Sequence, residues 1–367
     1  MPRNSIHVGG LTVAPGEKAF GFLHVGYLAA GTEVRIPFQV IHGAEDGPTL
    51  GLESVLHGWE PMGAEIIRRA MLDIDPRSLR GTVLCLPIAN PFSIEFSGQI
   101  ESSGGRVNPA DQLDMNRVWP GKEKNAWLSE QMAYAMWNEI ITKCDYLLDF
   151  HDGTGACDEI PVAFPHAFDL NGPGIMQVSA ADGTGGGSTA GLTRAFAEEM
   201  NRKIREMAIA FGSEIIWWRE ENLNPVMVSS QANINGIVTL VAECGGMGIV
   251  DHTIDQGAVC IHNVMKHLGM IAGEPAKPAR QIMVSNYVVY RSLAGGFYLG
   301  EPDVVLGAEV QKGQLLGRIV DSLTSEVREE CTSPVHGIIV SRRVRLPINP
   351  GGYIAHIADL DSVIWRS

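Results

Sequence analysis

The sequence predicts an α/β protein with a largely parallel sheet, followed by a smaller all-β region. Through residues 1–275, short apolar runs typical of buried strands alternate with longer segments of helical periodicity. From residue 282 to 367, short strand patterns follow one another with turn residues between them and no helical period. The stretch Pro275-Ala276-Lys277-Pro278 has the composition of a linker between the two parts.

The first part is predicted to begin with β segments over residues 7–42 and to continue with alternating strands and helices. The predicted strands cover residues 19–27, 33–41, 49–56, 82–87, 146–150, 213–218 and 236–243. The predicted helices cover residues 61–73, 126–141, 192–211 and 254–270. Residues 92–121 are predicted to be a long functional loop, and residues 171–189 a Gly-rich lid.

Composition excludes several classes of protein. With 45% hydrophobic and 19% charged residues, the chain can bury a large core. A net charge of −14 argues against nucleic acid or an anionic membrane as partner. The start of the chain has no signal-peptide core and the six cysteines are widely spaced, so we expect a cytoplasmic, reduced protein. Exposed edge strands in the β region favour a homo-oligomer.

Two histidines and a carboxylate follow predicted strands in the pattern of a catalytic zinc site. His57 and Glu60 lie in the turn after the strand at 49–56, and His151 directly follows the strand at 146–150. In open α/β sheets this edge is where ligands bind. Two imidazoles and one carboxylate give zinc three protein ligands and leave a fourth position for water. The alternative is ordinary turn polarity for the first two residues, and a capping or core role for His151.

Further polar residues supply a base and an anion clamp. Glu243 ends a predicted strand and is followed by two glycines that let a substrate approach closely, so it is the candidate general base. Asn116-Arg117 and Arg106 lie in the long loop, and a guanidinium forks onto a carboxylate or a developing oxyanion. The alternatives are that Glu243 pairs with a nearby arginine and that Arg106 pairs with Asp114 to hold the loop.

This ordered set resembles the succinylglutamate desuccinylase/aspartoacylase family of the zinc carboxypeptidase superfamily. The resemblance extends over nearly the whole chain and rests on His57-x-x-Glu60, Asn116-Arg117, the lone His151 and Thr239-x-x-x-Glu243. It implies a zinc-carboxypeptidase-like doubly wound mixed sheet with helices on both faces. It also implies the roles of the site residues: one Zn2+ per chain on His57, Glu60 and His151, substrate on Asn116 and Arg117, and Glu243 as base.

The chain departs from the family pattern at two places. Trp59 stands between Gly58 and Glu60, where the family commonly has Asp or Asn, and Val118-Trp119 follow Arg117, where the family commonly has Phe. Both departures leave the functional side chains intact and add aromatic bulk near the loop. They favour a substrate unlike that of the named members.

The C-terminal part resembles another known type of domain. The strand–turn patterns of residues 308–317 and 332–337 resemble lipoyl/biotinyl-type β domains, although the attachment lysine in its exposed hairpin is missing. The resemblance implies a lipoyl/barrel-sandwich-like all-β domain over residues 282–367 that covers the active site. Tyr298 and Tyr353 are both candidates to reach into the site.

The resemblance implies hydrolysis of the amide bond of a small N-acyl amino acid, which releases a carboxylate and the free amino acid. Metal-activated water would attack with Glu243 as general base, while Arg117, Asn116 and Arg106 grip the substrate. The N-terminal β segments followed by the lipoyl-like tail resemble the bacterial N-acyl-amino-acid deacylase branch, which includes N-acetyl-diaminobutyrate deacetylases of ectoine breakdown. Two alternatives stay open: a metallocarboxypeptidase acting on peptides, and a non-catalytic binding module built on the lipoyl-like domain, which predicts no metal.

Overall fold

The structure is a computed structural model and describes residues 3–97, 105–153, 155–172, 192–246 and 251–367. From residue 173 onward, the predicted Gly-rich lid lies outside the described residues. The described residues form a mixed α/β fold, as the sequence predicts.

The strands lie close to their predicted positions where the pattern is apolar. In chain order they are β1 (Ile6–Val8), β2 (Leu11–Val13), β3 (Glu17–Tyr27), β4 (Glu33–His42), β5 (Glu45–Ser54), β6 (Arg80–Leu86), β7 (Tyr146–His151), β8 (Cys157–Phe164), β9 (His166–Phe168), β10 (Ile215–Trp217), β11 (Arg219–Glu221), β12 (Val238–Gly245), β13 (Ile282–Val284), β14 (Tyr287–Arg291), β15 (Gly296–Gly300), β16 (Glu309–Val310), β17 (Leu315–Val320), β18 (Val327–Thr332), β19 (Gly337–Arg343), β20 (Pro347–Ile348), β21 (Tyr353–Asp359) and β22 (Val363–Arg366). The α-helices are α1 (Met62–Met71), α2 (Pro91–Ser97), α3 (Leu128–Glu139), α4 (Arg194–Phe211), α5 (Val228–Ile234) and α6 (Asp251–His267).

The main sheet has a parallel centre. Among the described residues it contains 14 strands, of which β6, β5, β7 and β12 run parallel side by side. The antiparallel strands β4 and β3 extend it beyond β6, and β8 pairs antiparallel with β12 on the other side. Because the central strands are parallel, their carboxyl ends lie at one edge, which brings the ends of β5, β7 and β12 together.

Helices cover both faces of this sheet. Successive residues of a strand point to opposite faces, and the central strands are apolar on both. Leu148 packs in the core that includes Ile66 of α1, Ile204 of α4 and Ile261 of α6. The preceding Leu147 packs in the second core, with residues of α3 and α5. The sheet is therefore buried on both sides, and its strand ends have fixed positions.

The C-terminal strands continue the main sheet. β13 pairs parallel with β10, and β19 pairs antiparallel with β8 and carries β21 and β14 beyond it. In residues 282–367, which are all described, there is no α-helix, and β18, β17, β15 and β20 form a separate four-stranded sheet. The division of the chain near residues 275–282 and the lipoyl-like type of the second part stay predictions.

Three features of the first part differ from expectation. β8 was not predicted because Pro161 lies within it, and proline cannot donate a ladder hydrogen bond. Within the predicted loop at 92–121 the chain forms α2, whose first residue is Pro91, a favourable first position for a helix. The short helix α5 has no periodic pattern long enough to identify it.

Among the described helices, none is both long and apolar enough to cross a bilayer.

Candidate metal and substrate site

His57, Glu60 and His151 converge at the carboxyl edge of the parallel strands. His57 Nδ1 lies 2.9 Å from Glu60 Oε2, and His151 Nδ1 lies 2.7 Å from the same oxygen. One candidate ligand atom from each residue lies within 4.8 Å of the others, and all three side chains are buried. Two imidazole nitrogens and a carboxylate oxygen facing one point are a donor set that suits zinc. The structure thus brings the three predicted metal ligands together.

The turn that carries His57 has a strained backbone and is held by hydrogen bonds from a residue elsewhere in the chain. Val55, between the end of β5 and His57, has φ +58°, a left-handed conformation that is unfavourable for a β-branched residue. Asn90 stabilises this turn, because its backbone N–H donates to Val55 O at 3.0 Å and its side-chain amide donates to Leu56 O at 3.1 Å. We infer that this turn fixes the direction of the His57 side chain.

Each imidazole contacts a second carboxylate through Nε2, the ring nitrogen that does not face Glu60. His57 Nε2 lies 3.2 Å from Asp114 Oδ1, and His151 Nε2 lies 3.2 Å from Asp149 Oδ1. Such outer carboxylates orient metal-binding histidines and favour the tautomer that presents the other nitrogen as a ligand. The two Nδ1 atoms therefore face the centre of the site.

The charges of this cluster suit a cation. Burial acts to lower the pKa of both imidazoles, but the charges and hydrogen bonds of the neighbouring carboxylates, first Glu60 for His57 and first Asp149 for His151, together outweigh burial and raise both pKa values. Burial acts to raise the pKa of Glu60, yet the charge of His57 and bonds from both imidazoles lower it. The buried carboxylate thus needs positive charge nearby, which protons or a divalent metal ion can supply. These residues fit a zinc ion.

A further buried acid lies behind His151. Glu53 of β5 is paired in the ladder with Asp149 of β7. Burial, followed by the charge of Asp149, raises the pKa of Glu53 well above its ordinary value. Burial also acts to raise the pKa of Asp149, but the charge of His151 and hydrogen bonds from His151 and Glu53 together lower it. The two pKa values shift in opposite directions, so negative charge is favoured on Asp149, the residue next to the imidazole.

Glu243 lies on the strand next to His151. It belongs to β12, where it is paired in the ladder with His151 of β7. Burial, and next the charge of Glu159, raises the pKa of Glu243 well above its ordinary value. In the described part of the chain, no arginine or lysine forms an ion pair with Glu243. The alternative reading, a carboxylate neutralised by a nearby arginine, is therefore not seen there.

All the predicted site residues line one pocket. Its lining residues are His57, Glu60, Arg106, Asn116, Arg117, His151, Asp152, Phe164, His166, Met227, Val241 and Glu243. Five of these residues had no predicted role: Asp152, Phe164, His166, Met227 and Val241. Of these, only Asp152 is adjacent in the sequence to a predicted site residue, His151.

The candidate anion clamp lies on the loop side of this pocket. Arg117 is exposed, and its Nη1 donates to the backbone oxygen of Asn116 at 2.6 Å. The Asn116 side chain is buried and accepts from Val228 N at 3.1 Å. Arg106 lines the pocket and also lies 3.0 Å from Asp114. Burial acts to raise the pKa of Asp114, but His57 and Arg106 lower it to about 2. Both interpretations of Arg106 are thus compatible with its position.

Neither tyrosine considered from the sequence lines this pocket. Tyr298 is buried in the small sheet, where its hydroxyl donates to Leu316 O at 3.1 Å. The Tyr353 hydroxyl accepts from Arg291 at 2.9 Å. The described lining ends with Glu243, so a C-terminal domain that covers the site stays a prediction.

Trp59, the departure in the metal-binding turn, packs between the two loops of the site. A Cβ placed on Gly105, beside Arg106, would lie 2.7 Å from Trp59 Cγ. A Cβ on Gly155, after His151, would lie 3.4 Å from the same atom. Gly58 N also donates to Gly105 O at 2.6 Å. The indole therefore fills the space that a glycine leaves at the start of the Arg106 segment.

Comparison with solved structures supports this fold over its whole length. A succinylglutamate desuccinylase/aspartoacylase from Rhodobacter sphaeroides is 22% identical, with a TM-score of 0.74 over 97% of this chain and 96% of that one. A succinylglutamate desuccinylase from Silicibacter sp. TM1040 is 20% identical, with a TM-score of 0.76 over 98% and 99%. The product-bound ectoine utilization protein EutE (DoeB) from Ruegeria pomeroyi is 20% identical, with a TM-score of 0.74 over 98% of each chain.

Part of the sequence also matches a known family of catalytic domains. Residues 46–172 match the family described as "Succinylglutamate desuccinylase/Aspartoacylase catalytic domain". This segment contains the three candidate metal ligands and the loop arginines, but not Glu243. No curated protein gives a significant match. The family resemblance predicted from the motifs is confirmed over residues 46–172, which match the catalytic domain of this family.

Proposed function

We propose that the chain is a zinc-dependent hydrolase that cleaves the amide bond of a small N-acyl amino acid. The observation that carries this proposal is the single pocket, in which three metal-ligand side chains, a carboxylate and two arginines face the same space. The family and the names of the structural relatives support the reaction class. The ectoine utilization protein among them supports the bacterial N-acyl-amino-acid deacylase branch.

His57, Glu60 and His151 would hold the zinc ion. When bound, zinc supplies polarisation of the acyl carbonyl and lowers the pKa of water. Asp114 and Asp149 keep the two imidazoles in the tautomer that such binding requires. The donor types support zinc as the metal, because imidazole and carboxylate in a buried three-ligand set suit this ion.

Glu243 would take the proton from the attacking water and deliver it to the departing nitrogen. Glu243 is the ladder partner of His151 on the neighbouring strand, which supports a role beside the proposed metal ligands. Its raised pKa makes it a better proton acceptor in the pH range of a general base than an ordinary glutamate. Arg117 and Arg106 line the same pocket and would bind the carboxylate of the substrate and the developing oxyanion.

Metal content and substrate release together test this function. Wild type purified without chelator is expected to contain about one zinc per chain, which His57→Ala loses and His24→Ala, an exposed histidine, keeps. Wild type should release free amino acid from N-acetyl or N-succinyl amino acids faster than from dipeptides. Faster cleavage of dipeptides would favour the metallocarboxypeptidase reading, and protein that neither contains nor binds zinc would exclude both enzymes.

A further inference from the structure

His166 is a pocket-lining residue that the proposed mechanism does not use. It begins β9, which pairs with β11 outside the main sheet, so that His166 lies opposite Arg219. Its side chain is 3% exposed and nevertheless lines the same pocket as the metal ligands and Glu243. A buried imidazole on the wall of a small pocket needs either protein partners for both nitrogens or a ligand for one of them.

One nitrogen of His166 is held by a carboxylate. His166 Nδ1 makes a short hydrogen bond with Glu221 Oε1, and Glu221 Oε2 lies 2.6 Å from Arg219 Nη2. The Arg219 guanidinium in turn lies over the rings of Phe164 and Trp217, at 5.9 and 5.7 Å from their centroids. The imidazole is therefore anchored through Glu221 to an arginine that is itself packed.

The orientation of the His166 ring is also fixed by packing against aromatic neighbours. The centroids of His166 and Phe164 are 4.6 Å apart, and Phe164 stacks on Trp217 at 4.3 Å with an interplanar angle of 1°. Asn233 Nδ2 donates to the backbone oxygen of His166 at 3.1 Å. The ring has little freedom to turn, so the direction of its second nitrogen is set before any ligand binds.

The second nitrogen of His166 is the one available to a ligand. Burial acts to raise the pKa of Glu221, but the bond and charge of His166, together with Arg219, lower it, so Glu221 is ionised. An ionised carboxylate accepts, so Nδ1 carries a proton, and in the neutral form of an imidazole the other nitrogen, here Nε2, presents a lone pair. Within the described ranges, no protein group hydrogen-bonds to His166 Nε2.

An N-acyl amino acid has one hydrogen-bond donor that every member of the class shares. Its carboxylate and acyl oxygens are acceptors, which suit the arginines and a metal, whereas the amide N–H is a donor. Leaving that N–H unpaired in a closed pocket costs free energy. We propose that His166 is a substrate-binding residue whose Nε2 accepts the hydrogen bond of the scissile amide N–H, with Glu221 as its positioning residue. This inference rests on the proposed amide hydrolysis.

An ester analogue isolates this contact. The O-acyl hydroxy acid has the same shape and carboxylate as the N-acyl amino acid but lacks the N–H, so His166 has nothing to accept from it. We would measure kcat/KM on the matched amide and ester for wild type, His166→Phe and His166→Gln, with the ester's inhibition constant wherever its turnover is too slow. Zinc content is measured for each variant to show that the metal ligands are intact.

The expected result is a loss confined to the amide. His166→Phe, which keeps a flat ring without an acceptor, should lower kcat/KM on the amide about 10- to 100-fold and leave the ester within about twofold. His166→Gln should recover part of the loss, because its side-chain oxygen accepts. Glu221→Gln should lower the amide rate less than His166→Phe does.

Other outcomes overturn the inference. Normal amide hydrolysis by His166→Phe removes His166 from substrate binding. An equal loss on amide and ester shows a structural role for the ring and removes the hydrogen bond. Failure of the proposed function is recognised separately, because wild type itself would then hydrolyse neither compound or hold no metal.

Discussion

The metal side and the anion side of the pocket are held in different ways. The metal side consists of residues at or just beyond the ends of parallel strands, and its side chains are buried. The anion side lies on the loop, where the exposed Arg117 bonds to the backbone of its neighbour Asn116. The sheet therefore fixes the proposed metal ligands, whereas the loop would leave the proposed substrate contacts adjustable.

Asp114 connects the two sides. Its Oδ1 lies 3.2 Å from His57 Nε2, and its Oδ2 lies 3.0 Å from Arg106. Its oxygen also caps the short turn of Asn116, whose N–H donates to Asp114 at 2.8 Å. A change in the loop can thus reach the metal ligands through one carboxylate. The comparison predicts large losses from changes on the metal side and smaller, substrate-dependent losses on the loop side.

The largest loss is expected from Glu243→Gln. The amide keeps the size of the side chain but cannot accept the proton of water, so kcat should fall about 10^2- to 10^4-fold. Zinc content should stay at the wild-type level, since Glu243 is not among the candidate ligands. Steady-state rates with metal analysis check both statements. Near-normal turnover would remove Glu243 as the base.

Asp149→Asn should weaken metal binding without abolishing it. The variant keeps the shape of the residue behind His151 but loses the charge that supports the imidazole, so zinc affinity should fall about 10- to 100-fold. Competition with a chelator measures the affinity. Asp73→Asn, an exposed acid, is the control and should bind zinc as wild type does. Unchanged affinity in Asp149→Asn would mean that the carboxylate does not support the ligand.

The sequence predicts the metal side better than the rest of the site. His57, Glu60 and His151 each follow an apolar run, and parallel strands necessarily bring such ends to one edge. The residues that orient these side chains could not be predicted from motifs. Asp149 appears in the sequence as one more strand residue, and the strain at Val55 and its relief by Asn90 depend on residues far apart in the chain.

The wall formed by His166 shows a second limit of sequence reasoning. β9 and β11 have three residues each, and their pairing joins segments about fifty residues apart without a periodic pattern. β8 leads the chain to this wall but contains Pro161, which argues against a strand in the sequence. Elements that derive from tertiary pairing are therefore missed, whereas those that derive from apolar periodicity are found.

On the metal side, the stability of metal-free protein and the affinity for zinc are expected to depend on pH in opposite directions. The imidazole pKa values are raised above the ordinary 6.5, so their ion pairs stabilise metal-free protein fully below about pH 6.5. This stability is lost as pH rises through the raised values. Zinc needs neutral imidazoles, so its affinity should rise over the same range, by up to about tenfold per pH unit for each proton released.

Thermal unfolding of chelated and zinc-loaded protein at about pH 6 and about pH 8.5 measures this difference. The midpoint should fall with pH in the chelated sample, and the gap between the two samples should widen. The arginines of the loop side stay charged throughout and add no pH dependence. A gap that is constant with pH would contradict proton release from His57 and His151.

On the loop side, Arg117→Lys should change substrate binding and leave the metal unaffected. Lysine keeps the charge but lacks the fork that binds a carboxylate through two bonds, so KM should rise about 5- to 10-fold. Zinc content should not change, because Arg117 is exposed and bonds only to backbone in the described structure. Arg77→Lys, paired with Asp75 at the surface, serves as control. Loss of zinc in Arg117→Lys would contradict the separation of the two sides.

The smallest change in activity is expected where Trp59, in the turn of the candidate metal ligands, packs against Gly105 beside Arg106. Gly105→Ala brings a methyl group against the indole, so it should lower the free energy of unfolding by about 1–3 kcal/mol and raise KM a few-fold through Arg106. In a Trp59→Ala background the same change should cost less, because the ring that it meets is gone. Urea unfolding of the two single variants and the double variant measures this coupling. Equal costs of Gly105→Ala in both backgrounds would show that the indole does not position the loop.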